Sequence, residues 1–139
     1  MKTCFLSILL LLSYSFVQAQ LSYDENLSTT NQQEAKFGCM TLTNGQKICG
    51  DEALKRYLAT NLHYPDDAME NGVQGEVSVS FWVKETGELG TASITKDIGH
   101  GCGQEVLRLL SKMPLWMPAT EKGQPVMKLV SLKVAFRLN

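Results

Sequence analysis

The chain has 139 residues and a formal net charge of −1, from 13 Lys and Arg against 14 Asp and Glu. That length suits one domain with a hydrophobic core. It carries no basic block, which argues against nucleic acid as a partner, and no cofactor is expected.

The first residues read as an export signal. Lys2 precedes a mainly apolar run from Cys4 to Val17, and Val17-Gln18-Ala19 offers the residues that a signal peptidase reads. Residues 1–19 are therefore expected to be a cleaved signal peptide, with Gln20 as the mature N-terminus. A retained anchor is the alternative, but the run spans only about 20 Å as a helix, against about 30 Å of hydrocarbon. Residues 20–37 are polar, rich in Ser, Thr, Asn and Gln, and read as a linker without a core of its own.

Residues 38–50 read as a β-hairpin around Thr43-Asn44-Gly45. A two-residue loop would pair Thr43 with Gln46 and set Cys39 and Cys49 on opposite faces. A three-residue loop, with Gly45 left-handed, pairs Leu42 with Gln46 and Cys39 with Cys49. An oxidising compartment favours the second register through a Cys39–Cys49 disulfide, with Cys102 free. A bridge from Cys102 to either partner is the rival.

Residues 51–139 read as the main domain. Asp51 is expected to cap a helix whose apolar stripe is Ala53, Leu54, Tyr57, Leu58 and Leu62. Pro65 stops that helix, and a short helical turn follows to Gly72. Gly75 to Glu85 alternates Val77, Val79, Phe81 and Val83 with polar residues and Trp82, the pattern of a strand with one buried face. Gly90 to Ile98 is its antiparallel partner. Cys102 to Met113 reads as a second helix, with Val106, Leu107, Leu110 and Met113 facing in. Val126 to Leu138 reads as one long closing strand. The fold class is α+β: an antiparallel sheet of three strands packed with two helices, preceded by the short hairpin.

A ladder of residues within this domain carries a family resemblance. It runs Tyr64-Pro65, Ala68, Gly72, Gly75, Val77, Phe81, Val83, Gly87, then Met113-Pro114-x-Trp116-x-Pro118 and Gly123-x-Pro125-Val126. In that order these residues resemble the C-terminal domain of the TonB family, from Asp51 to Leu138. The resemblance implies the same fold, a periplasmic location in a Gram-negative bacterium and a part in transport across the outer membrane. It also implies that the last strand captures a short extended peptide from an outer-membrane transporter or another envelope protein. The mapped edge is Lys128, Leu129, Val130, Ser131 and Leu132, continuing through Lys133, Val134, Ala135, Phe136 and Arg137. Main-chain groups would make the bonds, with one of Ser131 and Lys133 turning its N–H to the partner. The family's membrane anchor and long spacer are not expected here.

Other constellations are weaker. Gly99-His100-Gly101-Cys102-Gly103 lacks the spacing and the lysine of a phosphate loop. Cys102 beside His100 suggests a thiol nucleophile, but nothing in the sequence orients the base. No metal-ligand spacing joins Cys39, Cys49, Cys102, His63 and His100. Trp116, held between prolines, is expected in the core; Trp82 is open to either reading. Two rival functions remain: a structural or regulatory envelope scaffold, a homodimer among its forms, and a small exported thiol enzyme.

Overall fold

The computed structural model describes residues 32–139. The export signal, its cleavage point and the first part of the polar linker lie outside them. The described part is α+β. In chain order it comprises β1 (Gln32–Gln33), β2 (Cys39–Thr41), β3 (Lys47–Cys49), α1 (Gly50–Asn61), α2 (Asp66–Glu70), β4 (Gly75–Val83), β5 (Leu89–Lys96), α3 (Cys102–Ser111), β6 (Ala119–Glu121), β7 (Gln124–Val126) and β8 (Lys128–Phe136).

The main sheet has three antiparallel strands in the order β5-β4-β8. Alternation along β4 buries Val77, Val79, Phe81 and Val83 completely, under α1 and α3. Burying such side chains contributes about 1.5–3 kcal/mol each. β4 and β5 are joined by Glu85-Thr86-Gly87. Gly87 takes a left-handed φ of 85°, and its N–H donates to the Lys84 carbonyl at 2.9 Å. The β2–β3 hairpin uses the same device, with Gly45 at φ 82° and Gly45 N–H on Leu42 O at 2.9 Å. The three-residue register holds there: Met40 lies opposite Ile48, and Cys39 is bonded to Cys49 across the pair, Cα to Cα 4.1 Å.

An aromatic cluster ties these parts together. Trp116 is buried and meets Phe81 edge-on, with ring centroids 5.2 Å apart; Phe37 lies 5.8 Å from Trp116 and 5.4 Å from Tyr57. The Trp116 backbone N–H donates to Gly87 O at 2.9 Å, so the tryptophan is clipped to the β4–β5 turn. A side chain at Gly87 would sit 2.1 Å from the Trp116 carbonyl oxygen, which is why this turn position takes no other residue.

Several expectations need correction. The linker reading extended to Phe37, yet β1 pairs with β6, Lys36 exchanges backbone bonds with Met117, and Phe37 is 1 % exposed. One large apolar residue in a polar tract is enough to dock it. Asp51 does not cap α1. The N-cap position is Cys49, and Gly50, at φ 64°, turns the strand directly into the helix while its N–H donates to Phe37 O. In α3 the buried stripe is Cys102, Val106, Leu109 and Leu110; Leu107 is 36 % exposed. Leu109 lies seven residues from Cys102 and so shares its face, whereas Leu107 turns away. The single long strand from Val126 is interrupted at Met127: β7 first closes a hairpin on β6 through Lys122 and Gly123, both left-handed, before β8 begins.

Candidate functional site

β8 is an edge. Among the described residues only β4 pairs with it, in unbroken register from Gly75 opposite Phe136 to Val83 opposite Lys128. Which backbone groups point outward follows from the alternation of a strand, where residues two apart face the same way. Lys84 N–H donates to Glu88 O at 2.9 Å, on the β5 side of β4. Trp82, Ser80, Ser78 and Glu76 therefore also turn to β5, and Phe81, Val79, Val77 and Gly75 turn to β8. Their partners Val130, Leu132, Val134 and Phe136 face inward. Leu138, two further on, agrees: its N–H donates to Gln74 Oε1 at 3.0 Å, on the β4 side.

The outward N–H and C=O groups are thus those of Leu129, Ser131, Lys133, Ala135 and Arg137. The expectation that only one of Ser131 and Lys133 turns outward is corrected: two residues apart, they point the same way. Lys128, at the start, is held 3.6 Å from Glu34, a partly exposed pair worth about 0–1 kcal/mol.

The side chains of these same five residues stand on the open face of the sheet, opposite the helices, and all are exposed. Leu129 lies directly across from Trp82, and the two are 51 % and 41 % exposed. Next along, Ser131 Oγ bonds Ser80 Oγ at 3.1 Å. Lys133 lies beside Ser78, and Ala135 beside Glu76. The inward residues Val130 and Leu132 are only partly buried, so the core is unfinished along this edge.

The glycine loop behaves differently. His100, at φ 54°, places Nδ1 2.7 Å from Asp67 Oδ2. Cys102 is fully buried, and burial, followed by the nearby Asp97 carboxylate, pushes its thiol pKa up, the opposite of an activated nucleophile. Glu105 joins the helical layer: its carboxylate accepts Arg108 Nε at 2.7 Å, Arg108 Nη2 at 2.7 Å and the His63 backbone N–H at 2.8 Å. The Arg108 hydrogen bonds hold Glu105 below the usual carboxylate range, against burial. Among the described residues no three His, Cys, Asp or Glu side chains converge as a metal site, and no helix is long and apolar enough to cross a membrane. A cleft of about 340 Å³ lies away from β8, between Leu89, Ala92, Leu107, Met113 and Leu115.

Of the ten predicted edge residues, the structure brings nine, Lys128 to Phe136, into one strand and splits them into two sets by face and backbone direction; Arg137 follows directly after it. Trp82 belongs with the outward set. Its position on the polar side of an alternating strand was the available signal. A family model described as Gram-negative bacterial TonB protein C-terminal matches residues 60–138. No curated protein and no solved structure matches.

Proposed function

The chain belongs to the TonB C-terminal family of Gram-negative bacteria, and we propose that it serves TonB-dependent transport in the envelope by capturing extended peptide along the outer edge of β8. The ligand is an N-terminal segment of an outer-membrane transporter or a comparable stretch of another exported protein, met in the periplasm. The observation that carries this reading is the regular edge: among the described residues no strand pairs with the outward backbone groups of Leu129, Ser131, Lys133 and Ala135, over a strand with no register shift. A segment laid alongside gains backbone hydrogen bonds and extends the partly buried surface of Val130 and Leu132.

Binding by main-chain groups predicts a selective sensitivity. Ser131→Pro or Lys133→Pro removes an outward N–H and abolishes binding of a synthetic transporter-segment peptide, while Lys133→Thr changes it little. Isothermal titration, with each variant first shown to unfold like the parent, separates the cases. Proline variants that fold and still bind at parental affinity would remove the edge from consideration.

A further inference from the structure

The open face beside the edge is not uniform. Its Lys128 end carries the exposed Leu129 and Trp82, directly opposite one another. The pair sits where the β4–β8 ladder lacks mutual backbone bonds, the arrangement that brings side chains closest. Behind Trp82, β5 contributes Gly90, where a Cβ would lie 3.2 Å from the Trp82 Cβ, so the backbone itself approaches there, with the Lys84 Cε 4.0 Å from the same point. Further along, the face is hydroxylic at Ser80 and Ser131; then Lys133 and Arg137 stand on the edge strand, with Glu76 one strand further in, opposite Ala135. Along β8 itself, the apolar Leu129 stands at one end and the cationic Lys133 and Arg137 toward the other.

Resting on the strand-capture reading, we propose that Leu129, backed by Trp82, is a specificity ledge that selects a peptide with a large apolar or aromatic side chain beside Leu129. A strand added outside β8 places every second side chain on the open face, whichever direction it runs. One of those side chains neighbours Leu129. There it finds exposed apolar surface that a polar residue leaves in contact with water and a tryptophan or leucine covers. The same strand meets Lys133 and Arg137 farther along, so an acidic residue at that end is matched in charge, and the two preferences together fix the peptide's register. Leu129 is the contacting residue. Trp82, one strand further in, is a positioning residue that keeps Leu129 upright and extends the surface under it.

The test uses the full chain and synthetic ten-residue peptides, Thr-rich with aspartate at one end, in which a single tryptophan is moved through successive positions. The reference is the same peptide, aspartate included, with threonine in place of the tryptophan. Amide shifts along β8 report capture, and titration reports affinity. The expected result is capture of the whole series, with one position binding about two- to fivefold tighter, the effect of one cross-strand apolar pair. That advantage is lost in Leu129→Thr and reduced in Trp82→Thr, while both variants still capture the reference peptide. Capture on β8 with no favoured position, or with a preference that survives Leu129→Thr, overturns the ledge and leaves strand capture standing. Failure of every peptide to perturb β8 overturns strand capture, and the ledge falls with it.

Discussion

The main sheet has two edges, built in opposite ways from the same central strand. On one side, β8 follows β4 for nine residues without a shift. On the other, β5 slips twice. Ser78 faces Lys96 while Val79 faces Ile94, leaving Thr95 extra, and Phe81 faces Ala92 while Val83 faces Leu89, adding a residue at Gly90 and Thr91. Each bulge bends the strand and breaks the spacing of its outer N–H and C=O groups, so a further strand cannot register against it. The end of β5 is also pressed by α3: a Cβ on Gly103 would meet Asp97 Oδ2 at 2.4 Å and Ile94 Cδ1 at 2.7 Å. β5 is closed as a template by its own irregularity. β8 keeps the regularity that aggregation normally penalises, with Lys133 and Arg137 as charged guards.

The contrast can be broken most severely at the clip of the closed side. Trp116→Ala empties the space between Phe81 and Phe37 and releases the β4–β5 turn. It should cost about 3–5 kcal/mol in chemical denaturation. Unchanged unfolding would make Trp116 a surface residue in effect and separate the turn from the core.

Proline placement sharpens the comparison within β8 itself. Leu132 donates inward, so Leu132→Pro breaks the ladder and should cost about 2–3 kcal/mol or more. Its neighbours Ser131→Pro and Lys133→Pro should cost less than about 1 kcal/mol by the same measurement, since proline is tolerated on the outer side of an edge strand. Equal losses at all three positions would contradict the assignment of backbone directions.

Removing the disulfide, as Cys39→Ser with Cys49→Ser, lengthens the free chain of the unfolded state and should cost about 2–3 kcal/mol. Because β2 and β3 pair only with each other and not with either edge strand of the main sheet, peptide capture should persist under conditions where the variant is folded. Loss of capture at full folding would tie the hairpin to the edge.

The smallest effect concerns the helical layer. Glu105 has a folded pKa held below its unfolded value, so its contribution is present above the unfolded carboxylate range and is lost as pH falls through the folded value. Glu105→Gln should cost about 1.5 kcal/mol at neutral pH and flatten the acid limb of the stability profile. The variant and parent should converge at low pH; a constant gap between them would assign the loss to packing instead.

Much of this was legible in the chain. The strict alternation of β4 and β8 revealed both strands and their buried faces, because each has one dry side and one wet side. Asn44-Gly45 and Thr86-Gly87 marked hairpins because a left-handed residue was required. The remaining features have weak local signals. Phe37 is a lone aromatic in a polar stretch, and its docking depends on Trp116, far along the sequence. The β6–β7 hairpin is short, carries Pro125, and turns on Lys122-Gly123, where the lysine itself is left-handed at φ 50°. Leu107 and Leu109 are equally apolar, and only the packed sheet decides between them. The two bulges of β5 leave no pattern in composition, so the asymmetry of the edges could be seen only once the strands were paired.

The central claim is that the outer edge of β8 captures extended peptide. Amide shifts and hydrogen exchange of the labelled full chain, recorded as synthetic copies of transporter N-terminal segments are added, test it most directly. The account predicts shifts and slowed exchange at Leu129, Ser131, Lys133, Ala135 and Arg137, with Val130, Leu132 and Val134 already protected before peptide is added. Shifts gathered at Gly99–Gly103, along β5 or around Leu107 and Leu115, with those five amides exchanging as before, would contradict it.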